Sequence, residues 1–323
     1  MLQSYSKIPV TIITGFLGSG KTTLLNRILS EEHGKKLAVI VNEIGQIGID
    51  HQLVVNVDEE IMEMTNGCLC CTVREDLLVA LKKLLATKQA GKAHLEGLVI
   101  ETTGLANPGP IIQTFFLDPM IEQAYQINGV ITVVDGYHIE KHFEKGLEAQ
   151  EQVAFADVIL LNKQDLINQD EQRALTAHLQ SLNPTAKIIP TVNAQVNIEE
   201  LLHIHTFKVR EKLDIYPHQT ASHLEGVKAF VLREERPLNL QKLNEWMSAV
   251  VQELGEYLYR YKGILSVEGM EKRIVFQGVH TLFAATYDRE WQAEEERVSE
   301  MVFIGKGLNK EWFEEHFRDC VAQ

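Results

Sequence analysis

Val10-Thr11-Ile12-Ile13-Thr14-Gly15-Phe16-Leu17-Gly18-Ser19-Gly20-Lys21-Thr22 is the stretch that decides the fold of this 323-residue chain. Val10 to Ile13 is a short, largely β-branched run, the pattern of a strand buried on both faces of a parallel sheet. Gly15 to Thr22 then matches G-x-x-x-x-G-K-S/T in full, the pattern of a loop that cradles phosphate. Leu24, Leu25, Ile28 and Leu29 come next at helical spacing. Glycine lets backbone amides curl around an anion without Cβ collisions. The helix N-terminus adds partial positive charge, Lys21 adds a full one, and the Thr22 hydroxyl suits Mg2+. Gly15, Gly18, Ser19, Gly20, Lys21 and Thr22 are the expected phosphate and cation contacts.

Outward from that loop, short apolar runs recur at Leu37–Val41, Gly97–Ile100, Gly129–Val134, Val158–Leu161 and Lys187–Thr191. Helical stretches separate them, for example Leu77, Leu78, Leu81, Leu84 and Leu85. The alternation predicts an α/β domain with a doubly wound, mainly parallel sheet over residues 1–205. Residues 206–224 lose the rhythm and read as a linker. Over 225–323 a strand near Val227–Leu232 precedes a helix striped by Leu240, Leu243, Met247, Val250, Leu254 and Leu258. Strands near Gly263–Val267, Arg273–Val279 and Met301–Ile304 come after it, then a helix after Asn309. That order predicts a smaller α+β domain with a split βαβ arrangement.

Composition narrows the partners. The chain carries 31 Lys and Arg against 45 Asp and Glu, a net charge of −14, and such a surface repels nucleic-acid phosphate and anionic lipid. The loop's own donors still dominate locally, because remote charge is screened within a Debye length of about 8 Å. No apolar run approaches the ~20 residues of a membrane span, and Val10–Ile13 is too short for a secretion signal. Three of the four cysteines fall within residues 68–71, which does not make a disulfide framework. The expectation is a cytoplasmic protein with no nucleic-acid or membrane partner.

Asn162-Lys163-Gln164-Asp165 directly follows the run Val158–Leu161 and has the N-K-x-D pattern. A carboxylate at Asp165 can accept from guanine N1–H and the exocyclic amine, which adenine does not offer. One charge-assisted hydrogen bond contributes about 1.5–3 kcal/mol, so the motif points to GTP over ATP. Glu101-Thr102-Thr103-Gly104 ends another run: Glu101 can hold the Mg2+ shell and the Gly104 amide can meet a γ-phosphate. Asn42-Glu43 and Asp50 lie where a nucleotide-sensing switch would fall, and either acid could complete the Mg2+ shell or position the attacking water.

Cys68-Leu69-Cys70-Cys71 is the second chemical centre. Thr72 and Glu75 have capping-box spacing, which puts the thiols at or just ahead of a helix N-terminus where the dipole favours thiolate. Clustered thiolates suit Zn2+ or Co2+. The cluster lacks a fourth ligand of its own, so it takes one from elsewhere or keeps the open position that metal transfer needs. A redox pair involving Cys68 is the alternative chemistry.

Gly15–Thr23, Asn42-Glu43, Cys68–Cys71, Glu101–Gly104 and Asn162–Asp165 together resemble the CobW family of P-loop GTPases, relatives of HypB and UreG. Thr65-Asn66-Gly67, Pro110–Phe116, Arg260–Gly263 and Val302–Gly305 look most like its YjiA-like branch. The resemblance implies a GTP-hydrolysing metallochaperone for zinc, in some members cobalt, whose cysteine motif holds metal beside the nucleotide switch and passes it to a recipient metalloprotein. It implies phosphate and Mg2+ contacts for Gly18, Gly20, Lys21, Thr22 and Thr23, the metal-shell carboxylate for Glu101, and guanine contacts for Asn162 and Asp165, with Lys163 between them. Cys68, Cys70 and Cys71 are the implied transition-metal ligands, Cys70 foremost. The chain departs from the pattern at Val41 and Gln46, where relatives carry acids regarded as candidate metal ligands.

Lys21, Glu101 and Asp50 are the candidate catalytic residues. No arginine finger or catalytic glutamine stands out, so slow intrinsic turnover is expected. The competing class is a regulatory GTP switch with structural or redox-sensing cysteines. A homo-oligomer is compatible with either. His138 and His142 read as a solvated helix face, His203, His205, His218 and His223 as solvated loop residues, Arg260 to Lys262 as a turn or partner contact, and Cys320 as a packing thiol.

Overall fold

The computed structural model describes residues 7–31, 34–43, 61–65, 71–91, 94–204 and 226–322, with backbone alone at 42–43, 61–65 and 71–73. The chain divides into two compact units, 1–176 with 186–207, and 177–185 with 208–323. Asp50, Cys68, Cys70, the predicted linker, His205, His218 and His223 lie outside the described residues.

Up to residue 204 the elements are β1 (Ile8–Thr14), α1 (Lys21–Ser30), β2 (Leu37–Glu43), β3 (Ile61–Thr65), α2 (Cys71–Gln89), β4 (Gly97–Glu101), α3 (Gly109–Leu117), α4 (Pro119–Ala124), β5 (Tyr125–Asp135), α5 (Ile139–Lys145), α6 (Glu148–Phe155), β6 (Val158–Asn162), α7 (Gln169–Leu182), β7 (Lys187–Pro190) and α8 (Ile198–Leu202). The strands form one sheet in the order β3-β2-β4-β1-β5-β6-β7, and every pairing is parallel. The doubly wound sheet expected from the apolar runs is therefore present. Its strand order reverses around β1, and the carboxyl ends of β4, β1, β5 and β6 surround that switch, where open α/β sheets bind ligands.

The apolar runs are buried as expected. Ile13, Val39, Val99, Ile131, Val133 and Leu160 of the sheet pack with Leu24, Leu25 and Ile28 of α1. Each such side chain contributes about 1.5–3 kcal/mol by leaving water, which holds the phosphate loop between β1 and α1 on a rigid base. Strand β3 escapes the sequence pattern because Ile61-Met62-Glu63-Met64-Thr65 has a charge at its centre and methionines around it. It forms at the sheet edge, paired with β2. Helix α2 starts at Cys71, so Thr72 lies in its first turn and not at the predicted cap.

The second unit contains β8 (Val227–Glu234), α9 (Leu240–Leu254), β9 (Leu258–Leu265), β10 (Lys272–Val279), β11 (Leu282–Glu290), β12 (Ser299–Lys306) and α10 (Lys310–Asp319). Its sheet runs β11-β10-β9-β12-β8 with antiparallel neighbours throughout. Because β12 is antiparallel to both β8 and β9, those two run the same way with β12 between them, which is the expected split βαβ. Asn239 and Asn309 cap α9 and α10 by accepting from Lys242 N at 3.0 Å and Trp312 N at 3.1 Å. Trp246, Phe303, Phe313 and Phe317 fill the core beneath these helices.

Three features of this unit depart from the sequence pattern. Leu258 does not continue the helical stripe: Tyr257 N closes the last turn on Leu254 O, and Leu258 opens β9. Arg260 to Lys262 form no turn but the middle of that strand, with Arg260 buried. Strand β11 is additional to the expected strands, since it lies at a sheet edge and its sequence lacks a sustained apolar face. Cys320 is buried as expected; its thiol donates to His316 O at 3.3 Å, and burial pushes its pKa up to about 11.

Candidate nucleotide and metal site

Four strand ends, with the loops that leave them, build the site. After β1, the loop Gly15–Gly20 curls back so that Ser19 N donates to Phe16 O at 3.2 Å. Gly15 and Gly20 have φ of 140° and 109°, a region where side chains clash with their own backbone. A Cβ on Gly15 would strike the Val133 carbonyl, and one on Gly20 would meet the Asn162 amide nitrogen at 2.5 Å. Gly18 also has positive φ, at 74°, with open space around it. Lys21 opens α1, is 8% exposed, and donates to Phe16 O at 3.2 Å, so its ammonium is folded over the loop. Thr23 is exposed one residue beyond Thr22.

After β4, Glu101 is buried and accepts the Thr22 hydroxyl at 2.9 Å. Thr102 donates to Thr14 Oγ1 at 3.0 Å, which ties the two strand ends together. Gly104 comes so close to the loop that a Cβ there would lie 2.8 Å from Leu17 Cα. Gln152 of α6, which belongs to no sequence motif, holds this segment by donating to Gly104 O at 3.2 Å and Ala106 O at 3.1 Å. The hydroxyls of Ser19 and Thr103 are buried and meet no protein partner among the described residues. A hydroxyl left so costs about 1–3 kcal/mol, a cost that a bound anion or cation shell would offset.

After β6, the Asn162 side chain is buried and takes part in three hydrogen bonds, with one amide hydrogen left over. It donates to Ser19 O at 2.9 Å and accepts from Thr191 Oγ1 at 3.1 Å and Ala194 N at 2.9 Å. Asn162 thus clamps the glycine-rich loop after β1 to the segment after β7. Lys163 comes next in the left-handed region at φ 62°, and Asp165 lies exposed in a single 3-10 turn, Gln164–Leu166. At the end of β5 stands a residue outside every motif in the sequence. Asp135 is 3% exposed and accepts from Lys163 Nζ at 2.8 Å and His138 Nδ1 at 2.9 Å. Burial pushes its carboxyl up, but hydrogen bonds from Lys163, His138 and the Tyr137 amide together hold it below the usual carboxylate range. Its one signal in the sequence is an acid plus glycine directly after an apolar run, an arrangement similar to that around Glu101–Gly104.

His138 and His142 are not a plain solvated face. His138 pairs with Asp135, and the His142 ring packs on Phe16 of the phosphate loop with centroids 4.1 Å apart. His142 Nδ1 is buried with no partner among the described residues, and burial lowers its pKa. His203 is exposed as expected, at the end of α8, where Lys35 Nζ reaches its Nε2 at 2.9 Å. Of the predicted metal residues, Glu43 is the last of β2 and Cys71 the first of α2. Among the described residues no cluster of three His, Cys, Asp or Glu could hold a metal ion, and no helix is long and apolar enough to cross a membrane.

Two family models fit this architecture. The CobW/HypB/UreG nucleotide-binding domain matches residues 9–190, and the cobalamin synthesis protein CobW C-terminal domain matches 227–321. The chain belongs to the CobW family. This CobW-family chain is 38% identical to the zinc chaperone YjiA of Escherichia coli strain K12 over 307 residues, covering 94% of this chain and 96% of that protein. It is 30% identical to the zinc chaperone CobW of Pseudomonas aeruginosa over 358 residues, covering 99% and 93%. The crystal structure of the Zn(II)-bound YjiA GTPase from E. coli matches with a TM-score of 0.81 at 32% identity, over 98% of this chain and 100% of that one.

Proposed function

We propose that this protein is a GTP-hydrolysing metallochaperone whose cargo is zinc. The observation that carries the reading is the pair of buried, unmatched hydroxyls, Ser19 and Thr103, beside Lys21 and the Thr22–Glu101 contact. Such a corner fits a polyphosphate and its cation. The names of its relatives, zinc chaperones and a GTPase, support the same class.

In this reading Gly15, Gly18, Ser19, Gly20, Lys21, Thr22 and Thr23 hold the phosphates, with Gly104 offering an amide to the γ-phosphate. Asn162, Lys163 and Asp165 bind guanine. The hard oxygens of Thr22 and Glu101, already 2.9 Å apart, suit Mg2+, which would neutralise charge on the β- and γ-oxygens when bound. Lys21 stabilises the charge that builds as the terminal phosphoryl moves to water, and Glu43 or Asp50 orients that water. Turnover is slow without a partner, since the sequence motifs include no arginine finger for the transition state. Cys68, Cys70 and Cys71 bind the transition metal, zinc or alternatively cobalt, just before or at the start of α2. Nucleotide state biases metal affinity through the segment after β2, and that linkage is reciprocal in free energy. A recipient metalloprotein takes the metal on release.

The test is metal competition against a calibrated chelator, for Zn2+ and Co2+, with Mg2+ plus a non-hydrolysable GTP analogue and with GDP. A difference in affinity between the two nucleotide states is expected, together with release of phosphate from GTP but not from ATP. Equal metal affinities remove the coupling, and absence of phosphate release removes the GTPase.

A further inference from the structure

Asp165 reads the base only if the backbone before it turns out of β6 correctly, and that turn is made by a lysine in the left-handed region. A non-glycine residue at φ 62° is held there by its surroundings, and around Lys163 those surroundings converge on one carboxylate. Asp135 stands opposite Asn162 in the β5–β6 register. Its neighbour Gly136 donates to Asn162 O at 2.9 Å, gripping the peptide just before Lys163. Asp135 Oδ2 takes the Lys163 ammonium at 2.8 Å, gripping the same residue by its far end. The other oxygen is occupied in fixing Asp135 itself, accepting from Tyr137 N at 3.0 Å and His138 N at 3.2 Å. His138 Nδ1 completes the set on Oδ2. A carboxylate with four donors, buried at a strand end, is a rigid post and not a surface charge.

We infer that Asp135, steadied by His138, is a positioning residue for guanine recognition: it holds Lys163 in its left-handed turn and thereby sets the direction of Asp165. It does not touch the nucleotide. This inference rests on the reading of Asn162–Asp165 as the guanine-binding loop. Three features support a role in specificity over one in stability alone. The ammonium is spent on a residue from another strand; the grip falls on both sides of one strained residue; and that residue immediately precedes the base-reading turn.

The experiment compares the full chain with Asp135→Asn, which keeps the volume and Oδ1 but turns an NH2 toward Lys163. Dissociation constants are measured for GDP, IDP, ADP and inorganic tripolyphosphate, the last reporting the phosphate loop alone. Asp135→Asn is expected to weaken GDP by about tenfold and to narrow the preference for GDP over IDP, with tripolyphosphate affinity within about twofold of the parent. Lys163→Met added to Asp135→Asn is expected to cost little more than Lys163→Met alone, since the two changes remove one interaction. Should Asp135→Asn fail to fold, His138→Ala at a half-exposed position carries the same test, with about a threefold loss of GDP and none of tripolyphosphate. Equal losses for GDP and tripolyphosphate, or an unchanged GDP-over-IDP preference, overturn the inference while leaving the guanine reading intact. A parent chain that binds ADP as well as GDP overturns the guanine reading, and the inference with it.

Discussion

At the carboxyl ends of the seven-stranded sheet, Ser19 and Thr103 bury hydroxyls that meet no protein partner among the described residues, whereas in the five-stranded sheet the guanidinium of Arg273, 1% exposed, is met by both Asp288 and Glu295. Glu295 also pairs with Arg289, and buried Glu234 takes a two-pronged contact from Arg236. Unmatched groups of the second unit include the indole N–H of Trp246, a single donor among Phe303, Phe313 and Phe317, and that of Trp291, whose ring lies beneath the Arg273 guanidinium. Both units bury polar atoms, but among the described residues the first has unspent hydroxyls on two adjoining strand-end segments, Ser19 after β1 and Thr103 after β4. Matched burial serves the fold; unmatched hydroxyls on adjoining strand-end segments mark a place that a ligand completes.

The contrast is sharpest at Lys21. Lys21→Ala should lower GTP hydrolysis by at least about 10³-fold, because it removes the full positive charge folded over the loop, while leaving the melting of the second unit unchanged. All three tryptophans, Trp246, Trp291 and Trp312, belong to the second unit, so their fluorescence follows it separately. Arg273→Leu inverts the pattern. It strands Asp288 and Glu295 and should destabilise the second unit by about 3–5 kcal/mol in urea, with nucleotide affinity of folded protein unaltered. A matching loss of GDP affinity would mean the two units do not divide fold from site.

Asp165→Asn comes next. It should cost about 1.5–3 kcal/mol of GTP binding and admit xanthine nucleotides, read by competition with labelled GDP. Unchanged guanine preference would break the assignment of the base end. The smallest effect is in acid. Arg289 beside Glu295 and Arg236 beside Glu234 hold both carboxyls at about 2, below their ordinary 4.5. A depressed folded pKa gives stability that is complete above the ordinary value and is lost as pH falls through the folded one. Tryptophan fluorescence should therefore show the second unit weakening between pH of about 4.5 and about 2. The loss should be about 1 kcal/mol or less per pair, because Arg236 is largely exposed and water screens it.

Much of the candidate site is legible in the chain itself. Gly15–Thr22, Glu101–Gly104 and Asn162–Asp165 are contiguous runs whose backbone chemistry acts over a few residues, so their spacing is enough to find them. Asp135 is not legible that way, because it joins the candidate site only when β5 lies beside β6 and puts it opposite Asn162. His142 reads as a solvated face for the same reason: its partner, Phe16, is distant in sequence. The edge strands β3 and β11 escape because an edge needs only one neighbour and tolerates charge, so their sequences carry little periodic signal.

Residue order alone was enough for the succession of buried strands and helices through the first unit, β3 excepted, and for the glycine-rich loop between β1 and α1, since each depends on propensity and short-range sterics. Which strand ends meet, that Asn162 clamps that loop to the segment after β7, and that Lys163 is tied to Asp135 had to wait for the folded chain. Those facts come from sheet order and register, which bring together residues that no local rule connects.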